Sequence, residues 1–139
     1  MDQTMKAVAT PQWMLDLFNA IDALDTNPRS GYPSFYAADV DAAFGPQVMK
    51  GIDAVTKFLV DLDQPFVTKH IVTSVSQVGN CFVALCSADL TKKGAAPEAK
   101  LHVAPLIDIF WLNDQGKIDR WVVTFAKGME KGASAGVFQ

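Results

Sequence analysis

The sequence has 139 residues, of which 50% are apolar and 19% charged, and its net charge of −3 shows no excess of basic residues. This balance suits a single domain with one core and gives no support to nucleic-acid binding. No apolar run approaches the about 20 residues of a membrane helix, and no secretory signal is visible. We therefore expect a cytoplasmic protein with no nucleic-acid or membrane partner.

The first half of the chain predicts helices. After Thr10-Pro11, a typical helix start, apolar residues recur every three or four positions from Gln12 to Leu24. A short helix is predicted across Pro33 to Ala38, followed by a short strand from Val40 to Phe44. Residues 51–59 predict a third helix, with apolar residues along one face.

The second half changes to the period of two that is typical of strands. His70 to Val78 is rich in β-branched residues, and Gly79-Asn80 is a hairpin signal before a strand from Cys81 to Leu90. Two more strands are predicted, from Lys100 to Leu112 and from Lys117 to Phe125. Helices followed by antiparallel strands predict an α+β fold, with N-terminal helices covering one face of a curved sheet.

The chain contains two cysteines, Cys81 and Cys86, five positions apart. If both lie on one strand, they point to opposite faces and cannot form a disulfide. A single pair at this spacing is not a metal site either. We therefore expect reduced thiols in or near the core, no metal and no cofactor.

Asp108 stands in the middle of an apolar run, PLIDIFWL, in the strand predicted over Lys100 to Leu112. Both faces of that strand are apolar, which predicts that helices cover one face and a second copy of the chain covers the other. In such dry surroundings the pKa of Asp108 should rise through desolvation, unless a cation or hydrogen-bond donors compensate. Asp108 is either a structural hydrogen-bonding group or a functional acid.

Three motifs, in order and at the right spacing, resemble the SnoaL-like members of the nuclear-transport-factor-2-like superfamily. They are Tyr36-Ala37-Ala38-Asp39-Val40, the segment Gly51 to Phe58, and Pro105 to Phe110 with the following Gly116-Lys117-Ile118 and Trp121. The resemblance covers residues 10–127, which we take as one domain between flexible tails at 1–9 and 128–139. It implies a cone of strongly curved sheet with an internal apolar pocket, and a homodimer through the sheet face.

Several activities of this superfamily are poorly matched. Of the three residues that a ketosteroid isomerase would use, only the oxyanion-hole aspartate has a counterpart, Asp108. Of the five that an epoxide hydrolase of the limonene type would use, only Asp89 remains. SnoaL itself uses an aspartate in the last strand, whereas the segment WVVTF from Trp121 to Phe125 contains no carboxylate.

Scytalone dehydratase is matched somewhat better. Its pocket histidine resembles His70 in the step Thr68-Lys69-His70, and Asp108 stands where it has an asparagine. Its two tyrosines and its second histidine have no clear counterpart here.

Together, His70 and Asp108 make acid/base chemistry possible, because histidine exchanges protons near neutral pH and a neutral carboxylic acid can donate a hydrogen bond. We predict a cofactor-independent isomerase, dehydratase or cyclase for a small, apolar, carbonyl-bearing substrate of polyketide or terpenoid type. The alternative is a non-catalytic member of the same fold that binds an apolar small molecule or serves as a dimeric interaction domain.

Further residues were selected as candidates for contact with the substrate, although each could instead fill the core or lie at the surface. Asp22, Asp25, Asp39 and Asp53 are interpreted as helix-end and surface charges. The substrate-facing candidates are Phe18, Phe44, Phe58, Leu106, Phe110, Val123, Trp121, Ser87, Asp89 and His102.

Overall fold

The computed structural model describes residues 4–24 and 32–125, and it confirms the α+β class. Two α-helices, α1 (Gln12–Asp22) and α2 (Ile52–Asp63), accompany short 3₁₀ turns at Tyr32–Phe35 and Pro97–Ala99. Seven strands form one sheet: β1 (Lys6–Val8), β2 (Tyr36–Phe44), β3 (Gln47–Lys50), β4 (Phe66–Val78), β5 (Cys81–Lys92), β6 (Leu101–Leu112) and β7 (Ile118–Phe125).

The strands lie in the order β1-β4-β5-β6-β7-β2-β3. All neighbours are antiparallel except β2 and β7, which run parallel. The long strands β4, β5 and β6 are interrupted by shifts of register, one between Val72 and Ser74 and one between Cys86 and Ala88. Such bulges bend and twist a sheet, and here they accompany its curl around the helices.

Helix α1 covers the inner face of the sheet and packs on β4, while α2 packs on β2. The buried residues of α1 are spaced by three and four, as the sequence predicts: Met14, Leu17, Phe18 and Ile21. Trp13 meets Phe110 edge-on, with ring centroids 5.4 Å apart. The helix therefore contributes an apolar stripe to a core whose other wall is the sheet.

Aromatic rings dominate that core. Trp121 and Phe110 are almost completely buried and stack on each other with centroids 5.6 Å apart. Phe44 packs edge-on against Trp121, with ring centroids 4.7 Å apart, and its ring is tilted by 46° against that of Phe58 at 5.1 Å. The interior face of β6 and β7 is therefore lined by large apolar side chains.

Some elements differ from their predicted bounds. Lys6–Val8, in the segment expected to be a loose tail, pairs with β4 as an edge strand. The helix predicted across Pro33 to Ala38 is wrong, because β2 already begins at Tyr36 after a single 3₁₀ turn. Strand β4 starts at Phe66, immediately after the turn that follows α2, and so includes residues that the sequence places before it.

Other expectations lie outside the described residues, among them the tail at 128–139 and the charge of Asp25. Within 4–24 and 32–125, no helix is long and apolar enough to cross a membrane.

Candidate active site

Thr68 and His70 hold one carboxylate, that of Asp22. The period of two in β4 places both side chains on the inner face of the sheet, where they meet the last residue of α1. The Thr68 hydroxyl donates to Asp22 Oδ1 at 3.0 Å, and the backbone N–H of His70 donates to Oδ2 at 2.9 Å. The imidazole Nδ1 of His70 lies 2.5 Å from Oδ1. The helix end is thereby fixed to the strand.

This contact sets the tautomer of His70. A carboxylate oxygen is an acceptor, so Nδ1 carries the hydrogen and the other ring nitrogen, Nε2, keeps its lone pair in the neutral imidazole. Phe18 stacks on the ring, with centroids 5.3 Å apart and planes 20° apart. The side chains of His70 and Asp22 remain 17% and 19% exposed. His70 is therefore an oriented base that solvent can still reach.

The pKa of His70 is raised above its ordinary value. Desolvation by burial lowers it, but the hydrogen bond and charge of Asp22, together with the charges of Asp63 and Asp108, outweigh that effect. Asp63, at the end of α2, is itself buried. Carboxylates from α1, α2 and β6 thus all stabilise the imidazolium form of one histidine.

Asp108 lies on the inner face of β6 and is only 3% exposed. Its register partners are Ala84 on β5 and Val123 on β7. The indole N–H of Trp121 donates to Oδ1 at 3.0 Å. The buried thiol of Cys86 lies diagonal to the carboxylate on the neighbouring strand β5.

The ionisation of Asp108 follows from this setting. Burial raises its pKa to about 6, although the charge of His70 and the hydrogen bonds from Trp121 and Cys86 act in the opposite direction. The rise expected from the sequence is therefore found. The pKa of the Cys86 thiol is also raised, by burial and by the neighbouring Asp108, so this thiol keeps its proton.

His70 and Asp108 share the inner face of the sheet, where apolar side chains surround them. Each acts on the charge of the other, so their ionisations are linked. Nε2 of His70 can accept a proton, and the Asp108 carboxyl can donate or receive one close to neutral pH. Such a pair can move a proton to and from a bound molecule.

Seven of the predicted substrate-facing residues belong to this apolar shell. Phe18 covers the His70 ring, and Phe58 is partly buried against the core. The other five are buried members of the same cluster: Phe44, Leu106, Phe110, Trp121 and Val123.

Three of the predicted residues are not brought to this site. His102 is exposed and contacts Asp89, with Nδ1 to Oδ1 at 2.8 Å. Ser87 pairs with the exposed Ile71. The register gives the reason for His102: Val103 pairs with Ala88 and Leu106 with Cys86, so β6 has one extra residue between them. That residue reverses the alternation and turns His102 away from the face that carries Asp108.

Asp22 does not fit its interpretation as a surface charge at a helix end, because its side chain is only 19% exposed and contacts His70. It lies four positions after Phe18, which lies four after Met14. Helical spacing therefore continues the buried stripe as far as Asp22, and this was the available signal. In the described part of the chain, no group of three His, Cys, Asp or Glu side chains could hold a metal ion.

Comparison with solved structures shows what this architecture resembles. An NTF2-like protein of unknown function from Exiguobacterium sp. 255-15 superposes with a TM-score of 0.66 at 21% identity, covering 81% of this chain and 98% of that one. A Catenulispora acidiphila protein with a ketosteroid isomerase-like fold, in complex with trimethylamine, gives 0.67 at 17% identity, covering 86% and 89%. The chain has the nuclear-transport-factor-2-like fold.

A proposed SnoaL-like polyketide cyclase from Jannaschia sp. CCS1 is similar to the same extent. Its TM-score is 0.65 at 16% identity, with 86% of this chain and 89% of that chain covered. No protein-family model matches the sequence, and neither does any curated protein. The fold resemblance derived from the sequence motifs is therefore confirmed by structure, at identities that leave the chemistry to be argued from the residues.

Replacing Asp108 by Asn should remove one pH-dependent contribution to the free energy of unfolding. The pKa of Asp108 is raised from 3.8 to about 6 in the folded state. Its contribution to the free energy of unfolding is therefore complete when the pH is below the unfolded-state pKa, and it is lost as the pH rises through the folded-state pKa. This corresponds to a loss of roughly 3 kcal/mol between about pH 4 and about pH 7 in the unmodified protein, and to none in the variant.

Urea denaturation across that range, compared between the two proteins, measures the effect. Asp61→Asn, at the exposed Lys57–Asp61 pair, controls for the loss of one surface carboxylate. A difference between Asp108→Asn and the unmodified protein that stays constant with pH would contradict the assignment.

Proposed function

We propose that this protein is a cofactor-independent acid/base enzyme for a small, apolar, carbonyl-bearing substrate. The observation that carries the proposal is the Asp22–His70 pair, which holds a basic nitrogen on the same inner face as the buried Asp108. The apolar shell of Phe18, Phe110 and neighbouring residues suits a substrate of polyketide or terpenoid type. The description of the Jannaschia protein as a SnoaL-like polyketide cyclase is consistent with this class.

His70 would act as the general base. Its Nε2 removes a proton from the carbon next to the substrate carbonyl, and Asp22 stabilises the imidazolium that forms, as a carboxylate does for the histidine of a catalytic triad. Asp108 in its acid form donates a hydrogen bond to the carbonyl oxygen or to a leaving hydroxyl.

Elimination of water fits these groups best. The C–H proton passes to Nε2, the C–O bond breaks, and the Asp108 proton leaves with the hydroxyl as water, so that a conjugated ketone remains. The pair is then left as imidazolium and carboxylate. Release of the His70 proton to solvent and uptake of one proton by Asp108 restore the starting state. Isomerisation would use the same base but return the proton to another carbon.

In the reactive form, His70 and Asp108 together hold one titratable proton, which lies on Asp108 while Nε2 of His70 is free to accept another. A second proton blocks the base at low pH, and loss of the single proton removes the acid at high pH. The rate should therefore follow a bell-shaped pH profile whose limits belong to the pair and not to one residue.

Binding without catalysis is the second candidate. The close packing of Phe44, Phe58, Phe110 and Trp121 against one another is the observation that favours it, because such rings also serve a carrier for an apolar molecule.

Turnover of simple β-hydroxy ketones tests the proposal. Enone absorbance reports elimination, and loss of the α-proton signal in D₂O reports proton abstraction. His70→Ala, Asp22→Asn and Asp108→Asn should each reduce the rate by about 10²-fold or more, because each removes part of the proton path.

His102→Ala is the matched control, since this second Asp-paired histidine lies on the exposed face. If the unmodified protein binds these ketones but catalyses neither reaction, the binding function is correct. If it catalyses them and the three variants keep full rates, the assigned residues are wrong.

We also propose that the protein is a homodimer through the outer face of the sheet. That face carries exposed apolar side chains, among them Ile71 at 41% and Leu85 at 40% exposure, beside half-buried Ile107, Ile109 and Trp111. Because exposed apolar side chains grouped on one face mark an interaction site, and because this face presents the same patch on every copy of the chain, a second copy can cover it.

Light scattering should give twice the 15.1 kDa of one chain. Leu85→Lys places a charge within the outer face and should yield monomers, whereas Val48→Lys, at a position 79% exposed on the edge strand β3, should not. A monomeric mass for the unmodified protein would refute the dimer.

A further inference from the structure

Asp108 is approached by a hydrogen-bond donor from each neighbouring strand. Trp121 on β7 is the register partner of Phe110, two residues after Asp108, and Cys86 on β5 is the partner of Leu106, two residues before it. Both donors therefore lie diagonal to the carboxylate, on opposite sides, within side-chain reach. Ala84 and Val123, which face Asp108 directly, have no side-chain donor.

Both groups act as hydrogen-bond donors toward an ionised carboxylate. An indole N–H can only donate, and it does so to Oδ1 at 3.0 Å. A thiol is usually a weak donor that behaves as a small apolar group in a core. Cys86 is only 2% exposed and keeps its proton beside Asp108, so toward the ionised carboxylate it can act only as a donor.

We propose that Cys86 is a positioning residue for Asp108: together with Trp121 it donates to the carboxylate from the opposite side and holds it on the inner face that also carries His70. The inference rests on the proposed function only for its catalytic meaning, because the contact itself can be measured without any substrate.

Other charges act on the same carboxylate and must be kept constant in the test. His70 on β4 is the cation that acts on Asp108, and Asp22 on α1 and Asp63 on α2 act on His70. A change at Cys86 leaves all of these residues in place. Loss of its hydrogen bond therefore removes one stabilising contact from the ionised carboxylate and nothing from the imidazole.

The experiment compares three cysteine variants by NMR titration of the Asp108 carboxyl carbon. Cys86→Ala should raise the titration midpoint by about half a pH unit or more, since one donor to the charged form is lost. Cys86→Ser keeps a donor and should restore the midpoint or lower it further. Cys81→Ala, on the same strand at its far end, is the matched control and should leave it unchanged.

An unchanged midpoint in Cys86→Ala, or a Cys86→Ser protein that titrates like Cys86→Ala, would overturn the proposal. The S–H stretching band of the unmodified protein provides a measurement that requires no substitution at Cys86. It should shift as Asp108 ionises and should not shift with pH in Asp108→Asn, and a band insensitive to Asp108 would equally overturn the proposal.

Activity separates this inference from the proposed function. If ketone turnover is found, the acid limb of its pH profile should move upward in Cys86→Ala and return in Cys86→Ser. If no turnover is found, the proposed function fails, while the carboxyl titration still decides whether Cys86 positions Asp108.

Discussion

The carboxylate of Asp22 is the contact on which the arrangement of the interior depends. A negative charge at the last residue of a helix is opposed by the helix dipole, and its partial burial costs further solvation. Three donors from two residues of β4 offset that cost, and they do so only if Thr68 and His70 both face inward. One interaction thus docks α1 on the sheet, fixes the register between helix and strand, and turns Nε2 of His70 away from Asp22.

A second carboxylate extends this arrangement across the sheet. Asp108 lies two strands away from His70, yet the charges of the two groups act on each other because the intervening side chains, such as Ala84 and Ala88, are small and apolar. In a medium of low polarisability, charges are felt over longer distances than in water. The apolar shell therefore raises the pKa of Asp108 to about 6, close to that of a histidine. This makes proton exchange by Asp108 possible near neutral pH.

The periodicity of the sequence predicts part of this site correctly. Alternation in β4 and β6 is sufficient to place His70 and Asp108 inward, and the order of helices and strands is sufficient for the fold. His102 is misplaced because a single extra residue in β6, between Val103 and Leu106, reverses the alternation, and nothing in local composition announces it. For Asp22, two signals in the sequence disagree: its residue type suggests a solvated helix end, whereas its four-residue spacing from Phe18 predicts the core. In the structure the spacing gives the correct position.

The central claim is that Asp22 holds His70 as a base with its proton on Nδ1. A long-range ¹⁵N–¹H correlation spectrum of the imidazole, recorded through a pH titration of the unmodified protein and of Asp22→Asn, measures this directly. We expect a proton on Nδ1 at every pH, a titrating proton on Nε2, and a lower midpoint in Asp22→Asn, where the charge that favours the imidazolium is gone. A neutral imidazole protonated on Nε2, or the same midpoint in both proteins, would contradict it.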